Sequence, residues 1–422
     1  MSDQSFSRKT LERVLRKSDF DHRLSKSQID TFREQQVVDA LTSANTYFNS
    51  ASNPLDVFSL KGRCIYRFKN LSADLVGRKL CLNLRRLTRK SNQGRTQIVE
   101  CLSMLLQEGV PFRVYRLDIK GFYETFDSDF VRSAIQRITR LSPHSKLLLA
   151  SLLEHHSALG GSGIPRGLSI SAVLSEILMR PFDIALLQQP AVYFYARYVD
   201  DMIVITSGKE NQTKFREWIQ STLPSGLKLN SEKEKVREAA KRVAPLKPGS
   251  SPSELFNIDY LGYAFLVREP NAQKNTPPGA HHRKVVVDIA ERKLKKIKTR
   301  IVRSFIDYTK TGDWSLLRDR LKFLRQNFSV HNPKIGAKKV AGIFHSYPAL
   351  SEDAQGLIKL DKFLRNIVLG QTGRHSSLIS PRLNSKQRSE LLSQSFVAGH
   401  RNRSFVHFSA TRIGKIQDCW RY

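Results

Sequence analysis

The sequence predicts an α+β fold in which a small antiparallel sheet carries acidic residues and amphipathic helices surround it. Three observations lead there. From Val192 to Thr206 the residues are mostly aromatic or β-branched, and the adjacent acids Asp200 and Asp201 interrupt them, so the stretch reads as two strands with the acidic pair at the hairpin tip. A second short apolar run, Val114 to Leu117, leads into Asp118 and the turn residue Gly121. Helical spacing dominates elsewhere, as in Leu11, Val14 and Leu15, then Ile29, Phe32, Val37 and Leu41, and later Ile289, Leu294, Ile297, Ile301 and Phe305.

A chain of 422 residues suits two or three domains. The expected divisions are a helical extension over 1–52, a mixed core over 53–270 and a basic helical region over 280–422. The 70 basic against 38 acidic residues leave a net charge of +32, which points to a polyanionic partner, nucleic acid above all. Cys64, Cys81, Cys101 and Cys419 show no CxxC spacing, so reduced thiols are expected rather than a zinc site or disulfide framework. The first residues lack an apolar signal core, and no run reaches the ~18 apolar residues of a membrane span, so a cytoplasmic protein with no membrane partner is expected.

In chain order, Asn53-Pro54 ends the first helices and a strand follows at Cys64 to Phe68. The stretch from Arg78 to Arg95 is basic, with Lys79, Arg85, Arg86, Arg89 and Lys90, and a helix over Thr96 to Leu106 follows it. Residues 128–160 read as helices. Their adjacent His155 and His156 point in different directions, which makes a structural role the simpler reading. A glycine turn at 160–163 precedes a helix over Ala172 to Met179, and another helix spans Thr213 to Leu223. Loops are expected at 244–253 and 269–279, with a hairpin over Phe256 to Val267 between them and its bend at Gly262. Everything beyond reads as helical, including Trp314, Leu317, Leu321 and Leu324. The final aromatic and basic residues, Phe405, Phe408, Arg412, Trp420 and Arg421, suit either stacking on nucleic acid or packing.

Two carboxylates side by side repel each other unless a cation neutralises them. A strand-borne Asp118 together with a distant hairpin pair, Asp200 and Asp201, supplies the oxygen ligands that two hard divalent ions require for phosphoryl transfer.

Tyr198-Val199-Asp200-Asp201 and Leu117-Asp118-Ile119-Lys120-Gly121-Phe122-Tyr123 resemble the two metal-binding motifs of reverse transcriptases. Gly163 to Leu178 resembles the template-and-nucleotide motif between them, Gly226 to Lys233 the motif after the hairpin, and Tyr260-Leu261-Gly262-Tyr263 the primer grip. The resemblance implies a right-hand polymerase fold of fingers, palm and helical thumb, and RNA-directed DNA synthesis. It implies two Mg2+ ions, with Mn2+ as an alternative, held by Asp118, Asp200, Asp201 and Ile119. Lys233 would protonate the leaving pyrophosphate. Arg95, Tyr123, Arg166 and Gly167 would contact the incoming deoxynucleotide, Tyr123 as the bulky ring that excludes a ribose 2′-hydroxyl, and Leu261, Gly262 and Tyr263 would hold the primer. Arg166 departs from the usual Gln, and Leu168-Ser169-Ile170-Ser171 replaces a Ser-Pro run, which bears on template use.

No protease, integrase or endonuclease motif accompanies these, which favours the standalone prokaryotic branch. Within it the wording looks most like the bacterial defence-associated enzymes, the type 3 group in particular. That likeness implies antiphage activity, a noncoding RNA template, a cDNA product, and a second polymerase subunit or another copy of the chain as partner. A retron or group II intron enzyme, untemplated DNA synthesis, and a nucleic-acid-binding scaffold with an idle site are the alternatives.

Overall fold

A computed structural model describes residues 3–21, 25–49, 52–60, 62–88, 94–240, 253–270, 282–332, 337–370, 374–393 and 395–421. Contacts divide the chain into two units, residues 1–93 with 111–238, and residues 94–110 with 239–422. These divisions run differently from the boundaries at 52 and 270–280 suggested by composition.

The first unit begins with α1 (Arg8–Glu12), α2 (Lys26–Asn45), the hairpin β1 (Leu55–Leu60) and β2 (Arg63–Phe68), and α3 (Leu71–Arg85). Helix α4 (Arg95–Leu106) belongs to the second unit. The first unit resumes with β3 (Phe112–Asp118), α5 (Ser128–Gln136), α6 (Pro143–Ala158), α7 (Ser169–Gln188), β4 (Val192–Tyr198), β5 (Asp201–Thr206), α8 (Gln212–Thr222) and β6 (Lys235–Ala239). The second unit continues with β7 (Glu254–Tyr260), β8 (Tyr263–Arg268), β9 (Lys284–Ile289), α9 (Glu291–Thr311) and α10 (Trp314–Arg325). Then come β10 (Asn327–Asn332), β11 (Ala337–Gly342), α11 (Ile343–Ser346) and α12 (Gly356–Leu369). It ends with α13 (Arg374–Ile379), α14 (Ser385–Leu392), α15 (Phe396–Arg401), β12 (Phe405–Val406) and α16 (Ala410–Asp418).

In the first unit four strands form a sheet in the order β4-β5-β3-β6. Strand β5 is interior, and Met202 to Thr206 are all buried, which explains a run of apolar residues without polar alternation. Antiparallel pairing sets Leu117 opposite Met202 and therefore Asp118 opposite Asp201. Slipping by one residue would turn the apolar residues of β3 to the wrong face, so the core fixes where the acids land. Helix α7 packs on β4 and α3 through Val173, Leu174, Leu178, Phe182 and Leu186. Each such side chain contributes about 1.5–3 kcal/mol by leaving water. Asn70, Asp127, Ser142 and Asn211 cap α3, α5, α6 and α8 by accepting a backbone N–H in the first turn.

Three expectations for this unit need correction. Helix α7 starts at Ser169 and runs past Pro181 to Gln188, because Phe182 and Leu186 prolong its buried face beyond Met179. Arg78 and Lys79 do not belong to a cationic surface. Arg78 pairs with Asp19 at 2.6 Å and Asp74 at 2.6 Å, and buried Lys79 donates to Asn83 and to the Asp3 carbonyl. Strand β2 has a partner, β1, that the sequence reading passed over. His156 is buried edge-on to Tyr66, and burial pushes it down to about 4, so it packs as a neutral ring.

The second unit holds a three-stranded antiparallel sheet in the order β7-β8-β9, with α4 against β8 and β9. Ile98, Val99, Leu102 and Leu106 form the buried stripe of α4. Buried Arg283 ties its far end by donating to the carbonyls of Glu108 and Val110. Strand β9 corrects the expectation of helix beyond 280: Val285, Val286 and Val287 are stiff β-branched residues that fit a pleated sheet better than a helical turn. Helix α9 buries Leu294, Ile301 and Phe305, and α10 buries Leu317, Leu321 and Leu324. Strands β10 and β11, with β12 beside β10, were also read as helical or unassigned chain. Trp420 and Phe408 are buried, and the Trp420 indole donates to the Arg300 carbonyl at 3.0 Å. Phe405 is exposed.

The loops expected at 244–253 and 269–279 fall almost wholly outside the described residues, as do Arg89 and Lys90. Among the described residues no helix is long and apolar enough to cross a membrane. The four cysteines are free thiols.

Breaking the Arg78 network leaves two acids without their partner. Arg78→Gln is expected to lower unfolding stability by about 3 kcal/mol in a urea titration while leaving nucleic-acid affinity unchanged. Weakened binding at unchanged stability would return Arg78 to the binding surface.

Candidate active site

Asp118 closes β3 and Asp201 opens β5, so their register pairing puts both carboxylates on one face of the sheet. Asp200 sits between them in sequence space, in the two-residue turn Val199-Asp200 that joins β4 to β5. Val199 has φ of 61°, a left-handed conformation that a β-branched residue adopts only when its surroundings impose it. Arg197 supplies part of that constraint. Its guanidinium donates to the Val199 carbonyl at 3.1 Å, to Glu176 at 2.9 and 3.0 Å and to Asp183 at 2.7 and 2.9 Å. Glu176 and Asp183 are both on α7, and the Tyr195 hydroxyl also donates to Asp183, at 2.6 Å. The Ile119 amide meets the Asp200 carbonyl at 3.2 Å from the other side.

The segment 227–233 wraps around Asp118. Asn230 donates its amide to the Asp118 carbonyl at 2.7 Å and its side-chain nitrogen to Oδ2 at 3.2 Å. Lys233 Nζ lies 3.0 Å from both carboxylate oxygens. Arg116 stands 3.5 Å from Asp201. Burial pushes the Asp200 carboxyl above the ordinary range, and the charges of Asp201 and Asp118 add to that while Lys233 opposes it. Ile119 has a buried apolar side chain, so its backbone oxygen is the atom it can offer a cation.

Among the described residues no three ligating side chains converge on one point as they stand. The donor set nevertheless fits a hard divalent cation: it is all oxygen, it is mutually repulsive, and an ammonium already serves as counter-charge on Asp118.

Tyr123 is held close by. Its carbonyl accepts from the Ile164 amide at 2.8 Å, and burial pushes its hydroxyl up. Arg166 lies over its ring, 5.0 Å from the centroid, and forks onto Glu124 at 2.5 and 2.9 Å. Gly167 has φ of 109°, and a Cβ there would meet the Tyr66 carbonyl at 2.6 Å, so only glycine lets this loop lie against β2. A cavity of about 990 Å3 opens beside these groups, lined by Tyr123, Arg140, Glu176, Arg197, Tyr198 and Val199 among others.

The bend Leu261-Gly262 belongs to the second unit. Both residues have positive φ, 47° and 85°, the pattern of a tight hairpin turn that usually asks for Asn-Gly. Arg95 braces it by donating to the Leu261 carbonyl at 2.9 Å and the Ser346 carbonyl at 2.7 Å, with its guanidinium over Tyr263 at 4.8 Å. The residue expected at a nucleotide phosphate thus has its described contacts with the hairpin. Asp118, Asp200, Asp201, Tyr123 and Arg166 all lie in the first unit.

Residues 96–265 match the sequence profile of the family described as Reverse transcriptase (RNA-dependent DNA polymerase). This stretch is a reverse transcriptase domain. The match indicates the nucleotidyltransferase domain of an RNA-directed DNA polymerase, and the mixed helix and antiparallel sheet fits a right-hand polymerase fold. No curated protein sequence matches the chain significantly. Among solved structures, apo telomerase from Candida tropicalis is similar at 14% identity and a TM-score of 0.36, over 52% of this chain and 47% of that one. The same enzyme truncated from its C-terminal domain gives 15% identity and a TM-score of 0.33, over 51% of this chain and 53% of that one. This chain thus spans about half the length of each.

Several residues of the reverse transcriptase domain went unnoticed in the sequence. Asn230 lay inside a quoted motif, yet nothing in the pattern said that it would bond Asp118. Glu176 and Asp183 sit seven apart on a helix, a spacing that places two acids on one face and signals a cationic partner. Glu124 and Arg166 are too far apart in sequence for any local signal.

Two expectations follow from the electrostatics. Because the fold raises the Asp200 carboxyl, the ionised group opposes folding at neutral pH, and that penalty disappears as pH falls below the ordinary aspartate value of about 3.9. Asp200→Asn is therefore expected to raise the thermal midpoint in cation-free buffer at pH 7, with the difference vanishing in acid. Arg197→Lys keeps the charge but loses the fork that clamps the turn. DNA synthesis is expected to fall on the order of 10²-fold in kcat with little change in KM, as steady-state kinetics will show.

Proposed function

We propose that this chain is a reverse transcriptase that copies a dedicated noncoding RNA into cDNA by two-metal-ion catalysis, in bacterial defence against phage. The observation that carries the chemistry is the register pairing of Asp118 with Asp201, with Asp200 in the turn and Lys233 on Asp118. Asp118, Asp200, Asp201 and the Ile119 backbone oxygen would hold Mg2+ or Mn2+. When bound, such ions activate the primer 3′-hydroxyl and neutralise charge on the departing pyrophosphate.

The chain's own groups supply the rest. Lys233, which pairs with Asp118, would give a proton to the leaving group. The Tyr123 ring excludes a 2′-hydroxyl by its bulk, so deoxynucleotides are the substrates. Gly167 would contact them through its backbone. Leu261, Gly262 and Tyr263 hold the primer, with Arg95 as their brace. The lysines of α9, Lys293, Lys295, Lys296 and Lys298, track duplex phosphates.

The type 3 defence-associated group, a cytoplasmic location, and a second polymerase subunit or further copy as partner complete the reading. They rest on the wording of the motifs alone.

The deciding experiment sequences the RNA and DNA that copurify from cells with the wild type and with Asp200→Asn/Asp201→Asn. A discrete RNA in both, with complementary DNA only in the wild type, is the expected result. DNA unrelated to the bound RNA would overturn RNA templating in favour of untemplated synthesis. The absence of DNA from both, even after phage challenge, would favour a nucleic-acid-binding scaffold.

A further inference from the structure

We propose that the Glu124–Arg166 ion pair sets sugar selectivity by positioning the ring of Tyr123. The inference rests on the reading of Tyr123 as the group that excludes the 2′-hydroxyl, and it assigns a positioning role to two residues that do not themselves meet the sugar.

Steric exclusion of a single oxygen works only if the excluding ring cannot move aside. The surroundings of Tyr123 restrain it from several directions. The Arg166 guanidinium lies over the ring face at 5.0 Å, Phe122 meets it edge-on at 5.2 Å, and the Ile164 amide donates to the Tyr123 carbonyl at 2.8 Å. Arg166 is itself fixed. Nε and Nη2 fork onto the two oxygens of Glu124, the residue next to Tyr123, at 2.5 and 2.9 Å. Its own carbonyl accepts from the Tyr66 amide at 2.7 Å, which anchors the loop to β2. Gly163 lies so close to the backbone of Tyr123 and Glu124 that a side chain there would not fit. Carboxylate, guanidinium and ring thus form a closed stack, two of whose members are neighbours in the chain.

This geometry explains why an arginine stands at 166. A glutamine has no planar fork for a carboxylate and no charge to attract the ring face. Because the guanidinium faces Glu124 and Tyr123, its effect on the incoming nucleotide passes through the tyrosine.

The test measures kcat/KM for a deoxynucleotide and for the matching ribonucleotide, using the full chain on a synthetic RNA template annealed to a DNA primer. Their ratio is internal to each sample, so a smaller folded fraction cancels. Tyr123→Ala is expected to collapse the ratio. Glu124→Gln and Arg166→Gln are each expected to lower it at least about tenfold, the size of effect one misplaced steric contact carries, and the double variant to add little more. Arg166→Lys, with its charge but no fork, should fall between.

A wild-type ratio in Glu124→Gln and Arg166→Gln beside a collapsed ratio in Tyr123→Ala would overturn the bracing role and leave Tyr123 as the gate. An unchanged ratio in Tyr123→Ala would overturn both.

Discussion

Asp118 and Asp201 face each other at one end of two interior strands, with Asp200 in the adjoining turn, and like charges placed this near repel one another. Burial raises the Asp200 carboxyl first, and repulsion from the neighbouring charges of Asp201 and Asp118 adds to that. The sheet opposes it by register, since buried Leu117 and Met202 cannot slip past each other without exposing the core. Lys233, Asn230 and Arg116 oppose it with charge and hydrogen bonds, while Arg197 ties the strained turn to α7. A divalent cation would relieve the same strain from the open side. The site is thus costly as an apo structure and suited to binding, a pattern expected where function and stability compete.

The cations divide into two populations that composition alone does not separate. Lys79, Arg283, Arg320 and Arg325 are buried and Arg78 and Arg197 partly so, and all engage acids or polar partners of the fold, so they serve the core. The residues along α9 remain largely at the surface. The salt dependence of nucleic-acid binding will therefore reflect far fewer charges than the excess of +32 suggests, because only cations that replace counterions on phosphates contribute to it.

What the sequence made legible follows the range of the forces involved. Runs of apolar, aromatic and β-branched residues located β3, β4, β5, β7 and β8, and with them the acidic turn and the bend at Gly262, because local burial writes itself into local pattern. Strand β9 and the β10–β11 hairpin escaped because basic residues and helical spacing nearby outweighed a short valine run. Partners distant in sequence escaped altogether. Arg95, expected at a nucleotide phosphate from its place before a helix, also donates to the carbonyls of Leu261 and Ser346 far along the chain, contacts that no local pattern announces. Arg166 looked like a departure from a motif until Glu124 gave it a reason.

Helix α4 carries a consequence for how the protein is made. It is synthesised between two segments of the first unit but packs its Ile98, Val99, Leu102 and Leu106 stripe against β8 and β9, which leave the ribosome much later. The whole β4-β5-β3-β6 sheet is translated while that stripe waits uncovered. During synthesis the nascent chain thus displays a sticky helix, a natural target for chaperones. Severing the chain near residue 239 would separate the second unit from a helix of its own core, so the two units cannot be parted by one cut.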